Sequence, residues 1–182
     1  LDCKRFTERR LKTMILLALD TGMRRGELCA LRIEDIDEQS LLIRLRPETT
    51  KTRKGRTVPM SPQVMREIRR FIALHPPEWR CPWVFPTEQG ARLDPVVFGR
   101  QVRRVAERTG QPMKIHGLRH LCATEFLRST GNIALTAALL GHASISTTAG
   151  FYEHLDTADL QAAHGQAAVV AGVLENERVR RV

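Results

Sequence analysis

The chain has 182 residues, of which 42% are hydrophobic, and its 29 Lys and Arg against 20 Asp and Glu give a net charge of +9. This composition is that of one globular domain, and no apolar run approaches the roughly 18 residues of a transmembrane helix, which argues against a membrane partner. The positive charge favours a polyanionic partner such as nucleic acid.

The start of the chain and its cysteines point to an intracellular fragment. The chain begins at Leu1 rather than Met and shows no signal peptide, so we expect an excised domain. The four cysteines, Cys3, Cys29, Cys81 and Cys122, form no CxxC pair. Cys29 and Cys122 lie in apolar helical patterns, which predicts buried thiols in a reducing cytoplasm.

The first 60 residues predict two helices and a hairpin. A helix begins with Thr7 as its N-cap and ends near Gly22, and a short helix follows at about 25–31. Two β-type runs, 41–46 and 56–60, enclose a basic loop. We expect an antiparallel hairpin with a third short strand nearby.

The rest of the chain predicts helices only. One of them covers about 117–130 and stops at Gly131. The residues predicted to cap the starts of the other helices are Ser61, Asp94, Asn132, Ser144 and Asp156. The fold class is therefore mainly α with a small antiparallel sheet (α+β).

HGLRH, residues 116–120, places His116 and Arg119 on one helical face. An imidazole that moves protons and a guanidinium that grips phosphate oxygens would then point the same way. The alternatives are two solvated side chains, or a metal site made of His116 and His120. The metal site lacks the glutamate of HExxH and any obvious third ligand.

TGMRRGELCAL, residues 21–31, places Arg24 where a turn enters a helix, a position that favours anions. Glu27 is three residues on and could orient the guanidinium. The alternative is a surface ion pair of little energetic value.

KTRKGR, residues 51–56, carries four cations at the predicted hairpin tip. Lys51, Arg53, Lys54 and Arg56 suit insertion along a phosphate backbone. The alternative is a charged turn that stays solvated.

The order of these motifs, followed by LGH and a single tyrosine, resembles the tyrosine recombinase (phage integrase) family over almost the whole chain. Arg24 matches the first arginine of the family, and Glu27 matches the acidic residue that supports it. Lys51 matches the hairpin lysine, because RTVP at 56–59 fixes the second strand. Lys54 replaces it if the loop register slips.

The second half of the chain matches the family's remaining positions. His116 and Arg119 match the H-x-x-R pair, and His120 continues that run as a supporting residue. His142 matches the LGH histidine, and Tyr152 matches the nucleophile. The segment between them is one residue longer than usual, and we expect residues 149–150 to absorb the difference.

The resemblance implies a site-specific DNA recombinase that cleaves and rejoins strands through a 3′-phosphotyrosine, with no metal or other cofactor. Arg24 and Arg119 would stabilise the charge of the transition state, and His116 would take the proton of the Tyr152 phenol. His142 would hydrogen-bond a phosphate oxygen. Lys51 would protonate the departing 5′ oxygen.

The resemblance also implies partners and organisation. Residues 1–182 would be one catalytic domain, without the core-binding domain that normally precedes it. The partners would be double-stranded DNA and, in a tetrameric synapse on DNA, other copies of a protein that is monomeric when free. Residues 156–182 would dock on a neighbouring copy, and the protein would act in the bacterial cytoplasm, associated with the nucleoid.

Three alternatives remain at this point. The first is a non-enzymatic helix-turn-helix DNA-binding domain, suggested by the small residue Ala137 and the turn residue Gly141. The second is a type IB topoisomerase or a telomere resolvase with the same site. The third is an inactive member of the family.

Overall fold

Seven α-helices and a three-stranded sheet form the described part of the chain, residues 2–50, 55–142, 144 and 146–149, in a computed structural model. The helices are α1 (Cys3–Thr21), α2 (Arg25–Cys29), α3 (Pro62–Ile72), α4 (Pro95–Thr109), α5 (Ile115–Thr130), α6 (Ile133–Leu140) and α7 (Ser146–Ala149). The strands are β1 (Ile36–Asp37), β2 (Leu42–Leu45) and β3 (Arg56–Pro59). The predicted fold class is confirmed.

The sheet is antiparallel, in the order β1-β2-β3, and β1 is the predicted third strand. Ile43 pairs with Val58, and both side chains are fully buried, which fixes the register of β2 against β3. Residues 51–54, the tip of the predicted hairpin, lie outside the described residues.

Helix α1 begins earlier than the sequence predicted. The side chain of Asp2 accepts a hydrogen bond from the backbone N–H of Arg5 and caps the helix. The predicted N-cap at Thr7 is therefore wrong. Thr7 lies within α1, where its hydroxyl donates to the distant carboxylate of Glu88.

The other predicted caps depend on local contacts, and three of them are confirmed. Ser61, Asp94 and Asn132 each accept a hydrogen bond from a backbone N–H in the first turn of α3, α4 and α6. Helix α5 begins at Ile115, two residues before the predicted start, so His116 lies in its first turn. Asp156 lies outside the described residues.

Helix α1 packs against α3, α4 and α5 and forms the centre of the domain. Cys29 and Cys122 are buried, as predicted, and burial raises the pKa of the Cys29 thiol to about 12. A smaller apolar cluster joins α5 to α6 through Ala123, Leu127 and Leu140. None of the helices in the described ranges is long and apolar enough to cross a bilayer.

Candidate active site

Arg24 precedes α2, and Glu27 in the first turn of that helix holds it in two ways. The backbone N–H of Arg24 donates to Glu27 Oε2 at 2.7 Å, and the guanidinium Nη1 donates to Glu27 Oε1 at 3.2 Å. The Glu27 side chain is fully buried, whereas that of Arg24 is 27% exposed. The outer face of the Arg24 guanidinium is therefore open to a ligand.

Arg56 is the second partner of Glu27, a contact that the sequence analysis did not predict. The predicted contact of Arg56 with DNA stays a prediction. Its Nη1 and Nη2 donate to the two Glu27 oxygens at 2.8 and 3.0 Å. Its Nε donates to the Leu139 carbonyl at 3.2 Å. Because the hydrogen-bonding groups point inward and the side chain is only 12% exposed, Arg56 acts as a structural brace.

The environment of Glu27 keeps its carboxylate ionised. Burial alone would raise its pKa. The hydrogen bonds and charge of Arg56, the backbone N–H of Arg24 and the charge of Arg24 outweigh that effect, so the pKa lies below its usual value. Glu27 is thus an anion that positions two arginines.

Arg119 is held from the opposite side by backbone carbonyls. Its Nη1 donates to Gly22 O, at the end of α1, at 2.5 Å, and its Nη2 donates to Leu140 O, at the end of α6, at 2.7 Å. The residue is only 6% exposed. Burial and, secondarily, the charge of Arg24 lower its pKa to about 10, so the guanidinium stays charged at neutral pH.

His142 follows α6 and contacts Arg119. Its Nε2 lies 3.1 Å from Arg119 Nη2, and its Nδ1 lies 2.9 Å from the hydroxyl of Thr148. Burial and the positive charges of Arg119, Arg24 and Arg56 lower its pKa to about 4. At neutral pH the ring is neutral. Sequence reasoning missed Thr148, because Thr147 beside it carries the same hydroxyl and only burial tells them apart.

A cleft of about 720 Å³ opens beside these residues, and Arg24, His116 and Arg119 all line it. No acidic side chain occurs among its described lining residues. The cations that line it are Arg24, Arg25, Arg100, Arg103, Lys114 and Arg119. The sequence analysis did not single out Arg100 and Arg103, although their i, i+3 spacing places them on one face of α4.

His116 and His120 contact each other on the exposed face of α5. Their Nε2 atoms are 3.0 Å apart, and the rings meet edge to face with their centroids 4.5 Å apart. Within the described ranges, no group of three His, Cys, Asp or Glu side chains is arranged to hold a metal ion. In this structure the two rings therefore contact each other directly.

Several predicted site residues lie outside the described residues, namely Lys51, Arg53, Lys54 and Tyr152. Residues 150 and 156–182 lie outside them too. The described residues bring together Arg24, Glu27, His116, Arg119 and His142, with Arg56 behind them. The catalytic roles of these residues remain predictions.

Comparisons with known proteins agree on one family. Tyrosine recombinase XerC of Mycobacterium sp. (strain KMS) is 35% identical over 157 residues, which are 81% of this chain and 50% of that protein. The chain spans about half the length of such curated relatives. The crystal structure of XerA recombinase superposes with a TM-score of 0.74 at 29% identity, over 91% of this chain and 61% of that one.

A second solved structure supports the fold. XerH site-specific recombinase bound to palindromic difH substrate has a TM-score of 0.69 at 23% identity, over 91% of this chain and 47% of that one. Residues 2–159, which hold all the motifs described above, match the phage integrase family as a whole. The chain therefore belongs to the phage integrase family.

Proposed function

We propose that this chain is the catalytic domain of a site-specific DNA recombinase, which cleaves and rejoins DNA strands through a 3′-phosphotyrosine at Tyr152. The observation that carries the proposal is the convergence of Arg24, His116 and Arg119 on one cationic cleft. Two fixed guanidinium groups beside an imidazole suit a phosphodiester, whose negative charge grows in the transition state. Membership of the phage integrase family supports the same conclusion.

Arg119 and Arg24 bind the non-bridging oxygens of the scissile phosphate. Arg119 has little freedom to move, because two carbonyls and His142 already hold its guanidinium. The guanidinium of Arg24 is likewise held by a hydrogen bond to the Glu27 carboxylate. Groups fixed in advance stabilise a transition state without reorganising during the reaction.

Two further residues, His116 and Lys51, carry out the proton transfers. His116, exposed at the start of α5, takes the phenolic proton of Tyr152 as the oxygen attacks phosphorus. Lys51 donates a proton to the departing 5′ oxygen, and His142 hydrogen-bonds a phosphate oxygen. A 5′ hydroxyl of another strand reverses the step, so the strands are exchanged without a metal or another cofactor.

The wider organisation follows from the same proposal. The chain acts on double-stranded DNA as part of a tetrameric synapse and is monomeric when free. Residues 156–182 dock on a neighbouring copy, and a core-binding domain completes the grip on DNA. The solved relative XerH, which was crystallised with its difH substrate, supports a DNA partner. We place the protein in the bacterial cytoplasm, associated with the nucleoid.

A nicked suicide substrate tests the function directly. The chain should form a covalent complex with DNA that resists excess EDTA, and peptide mapping should locate the DNA on Tyr152. Tyr152→Phe should form no complex yet bind DNA as the wild type does. A helix-turn-helix binder would give no adduct, and exchange between paired sites would separate a recombinase from a topoisomerase. Loss of the adduct in EDTA, restored by Mg²⁺, would contradict the mechanism.

A further inference from the structure

The buried hydroxyl of Thr148 has no part in the reaction described so far. Thr148 lies in α7 and is fully buried, whereas the adjacent Thr147 is exposed. Its Oγ1 lies 2.9 Å from Nδ1 of His142. The other nitrogen of the same ring, Nε2, faces Arg119 Nη2 at 3.1 Å. The ring is therefore held at both ends.

The chemistry of the partners decides where the proton of His142 lies. A guanidinium only donates hydrogen bonds, so Nε2 of His142 must accept from Arg119 with its lone pair. The proton of the neutral ring is then on Nδ1, and Nδ1–H donates to Thr148 Oγ1. Burial opposes protonation of the ring, and so do the charged or titratable groups that the described part of the chain places around it, Arg119, Arg24, Arg56 and His116.

Phosphate binding places a different demand on the ring. To donate to a phosphate oxygen, Nε2 of His142 must carry a proton, either in the imidazolium or in the other neutral tautomer. A hydroxyl accepts from Nδ1–H and can equally donate to a bare Nδ1. Thr148 can therefore hold the ring in place in every protonation state. A methyl group at the same position could do neither.

We propose that Thr148 is a positioning residue, whose buried hydroxyl sets the rotation of the His142 ring so that Nε2 faces Arg119, which in the free site keeps the proton on Nδ1. Its effect on cleavage rests on the proposed function, but its effect on the His142 tautomer does not. Thr148 makes the ring available to the phosphate without touching the phosphate itself.

Three variants separate the hydroxyl from the shape of the residue. Thr148→Val keeps the branched shape and removes the hydroxyl, and Thr148→Ser keeps the hydroxyl and removes a methyl group. Thr147→Val makes the same change as Thr148→Val at the exposed neighbouring position. Long-range ¹H–¹⁵N correlations of the histidine rings report the tautomer of His142. The signals of His142 are identified by their absence from the spectrum of His142→Gln.

The wild type, Thr148→Ser and Thr147→Val should show the Nδ1–H tautomer of His142. Thr148→Val should show a mixture of tautomers, because the ring is no longer held in the rotation in which Nε2 faces Arg119. On a nicked suicide substrate, Thr148→Val should form the covalent complex about 10–100-fold more slowly, since a misplaced group costs about that much in rate. Its affinity for DNA should remain that of the wild type, and Thr148→Ser should recover most of the rate.

Several outcomes would overturn the proposal. Wild-type tautomer and rate in Thr148→Val would show that the hydroxyl is unnecessary, and an equal defect in Thr147→Val would show that the effect is not specific. If Thr148→Val does not fold, loss of tautomer and rate in Thr148→Ser would have the same meaning. If the wild type forms no covalent complex, the proposed function fails, and the tautomer of His142 in the variants still decides the role of Thr148.

Discussion

Glu27 and Arg56 form a buried ion pair that ties strand β3 to the start of α2. The Glu27 side chain is fully buried and that of Arg56 is 12% exposed. Burying a charge is costly, and the two hydrogen bonds between the partners offset that cost. Arg56 therefore contributes to the site through Glu27, which also holds Arg24.

Arg56→Met should lower the free energy of unfolding by about 3–5 kcal/mol, because Glu27 would be left as a buried charge that has lost its main partner. Urea denaturation measures this loss. Arg69→Met is the control, since Arg69 and its partner Glu38 are both exposed, and it should cost less than about 1 kcal/mol. Adding Glu27→Gln to Arg56→Met should recover part of the loss. If Arg56→Met and Arg69→Met lower the free energy of unfolding equally, Arg56 does not act as a structural brace.

The imidazole of His142 should make the stability depend on pH. Its pKa falls from 6.5 to about 4 on folding, chiefly through burial. Between these values the unfolded chain binds more protons than the folded one, so the free energy of unfolding should rise with pH. His75, whose pKa burial also lowers, contributes in the same direction.

Urea denaturation at a series of pH values tests this dependence. His142→Gln removes the titrating group and should reduce the slope of stability against pH within that window. The difference between wild type and variant isolates His142, because His75 is present in both. A slope that is unchanged in His142→Gln would mean that the ring titrates alike in the folded and unfolded chain.

At the scale of helices and strands, the sequence predicts what local contacts decide. Ser61, Asp94 and Asn132 accept hydrogen bonds from residues two or three positions on, so each cap is visible in a short stretch of sequence. Thr7 was misjudged as a cap because its partner Glu88 is distant in the chain. The hydrogen bond from Arg56 to Glu27 was not predicted for the same reason. For the same reason, no motif indicated which carbonyls hold Arg119.

Gly141, which ends α6, lies directly against the side chain of Arg56. Its φ is +65°, and a Cβ added there would lie 2.7 Å from Arg56 Cδ. Gly131, which ends α5, has a φ of +61° but no heavy atom within 4 Å of an added Cβ. The two glycines share their backbone conformation and differ in the space around them.

Gly131→Ala should cost about 1–2 kcal/mol, the strain of a left-handed alanine. Gly141→Ala should cost more, because the new methyl group would also push Arg56 away from Glu27. Urea denaturation of the two variants measures the difference. In the suicide-substrate assay, only Gly141→Ala should slow the covalent step, since His142 is the next residue. Equal destabilisation would show that Arg56 moves aside freely.

At the scale of the whole molecule, the site is assembled where several helices end or begin. Arg119 in α5 donates to the carbonyl of Gly22, which caps α1, and to that of Leu140, the last residue of α6. Arg24 lies at the start of α2. The family motifs identify these residues in their order along the chain. Only the packing of α1 against α5, and of α5 against α6, brings them together.

The positive charge that lines the cleft should govern how the chain binds double-stranded DNA. Arg103 lines the cleft beside Arg24 and Arg119, whereas the next residue, Arg104, is also exposed but does not line the cleft and lies roughly 100° around α4. Arg103→Gln should weaken binding and make the slope of log K against log salt less steep by about 0.9, the contribution of one phosphate contact. Arg104→Gln removes the same charge and should leave that slope unchanged.

Fluorescence anisotropy with labelled duplex across a range of salt concentrations measures both variants. If the two lose affinity alike, net charge rather than the cleft governs binding, and the path of DNA must lie elsewhere.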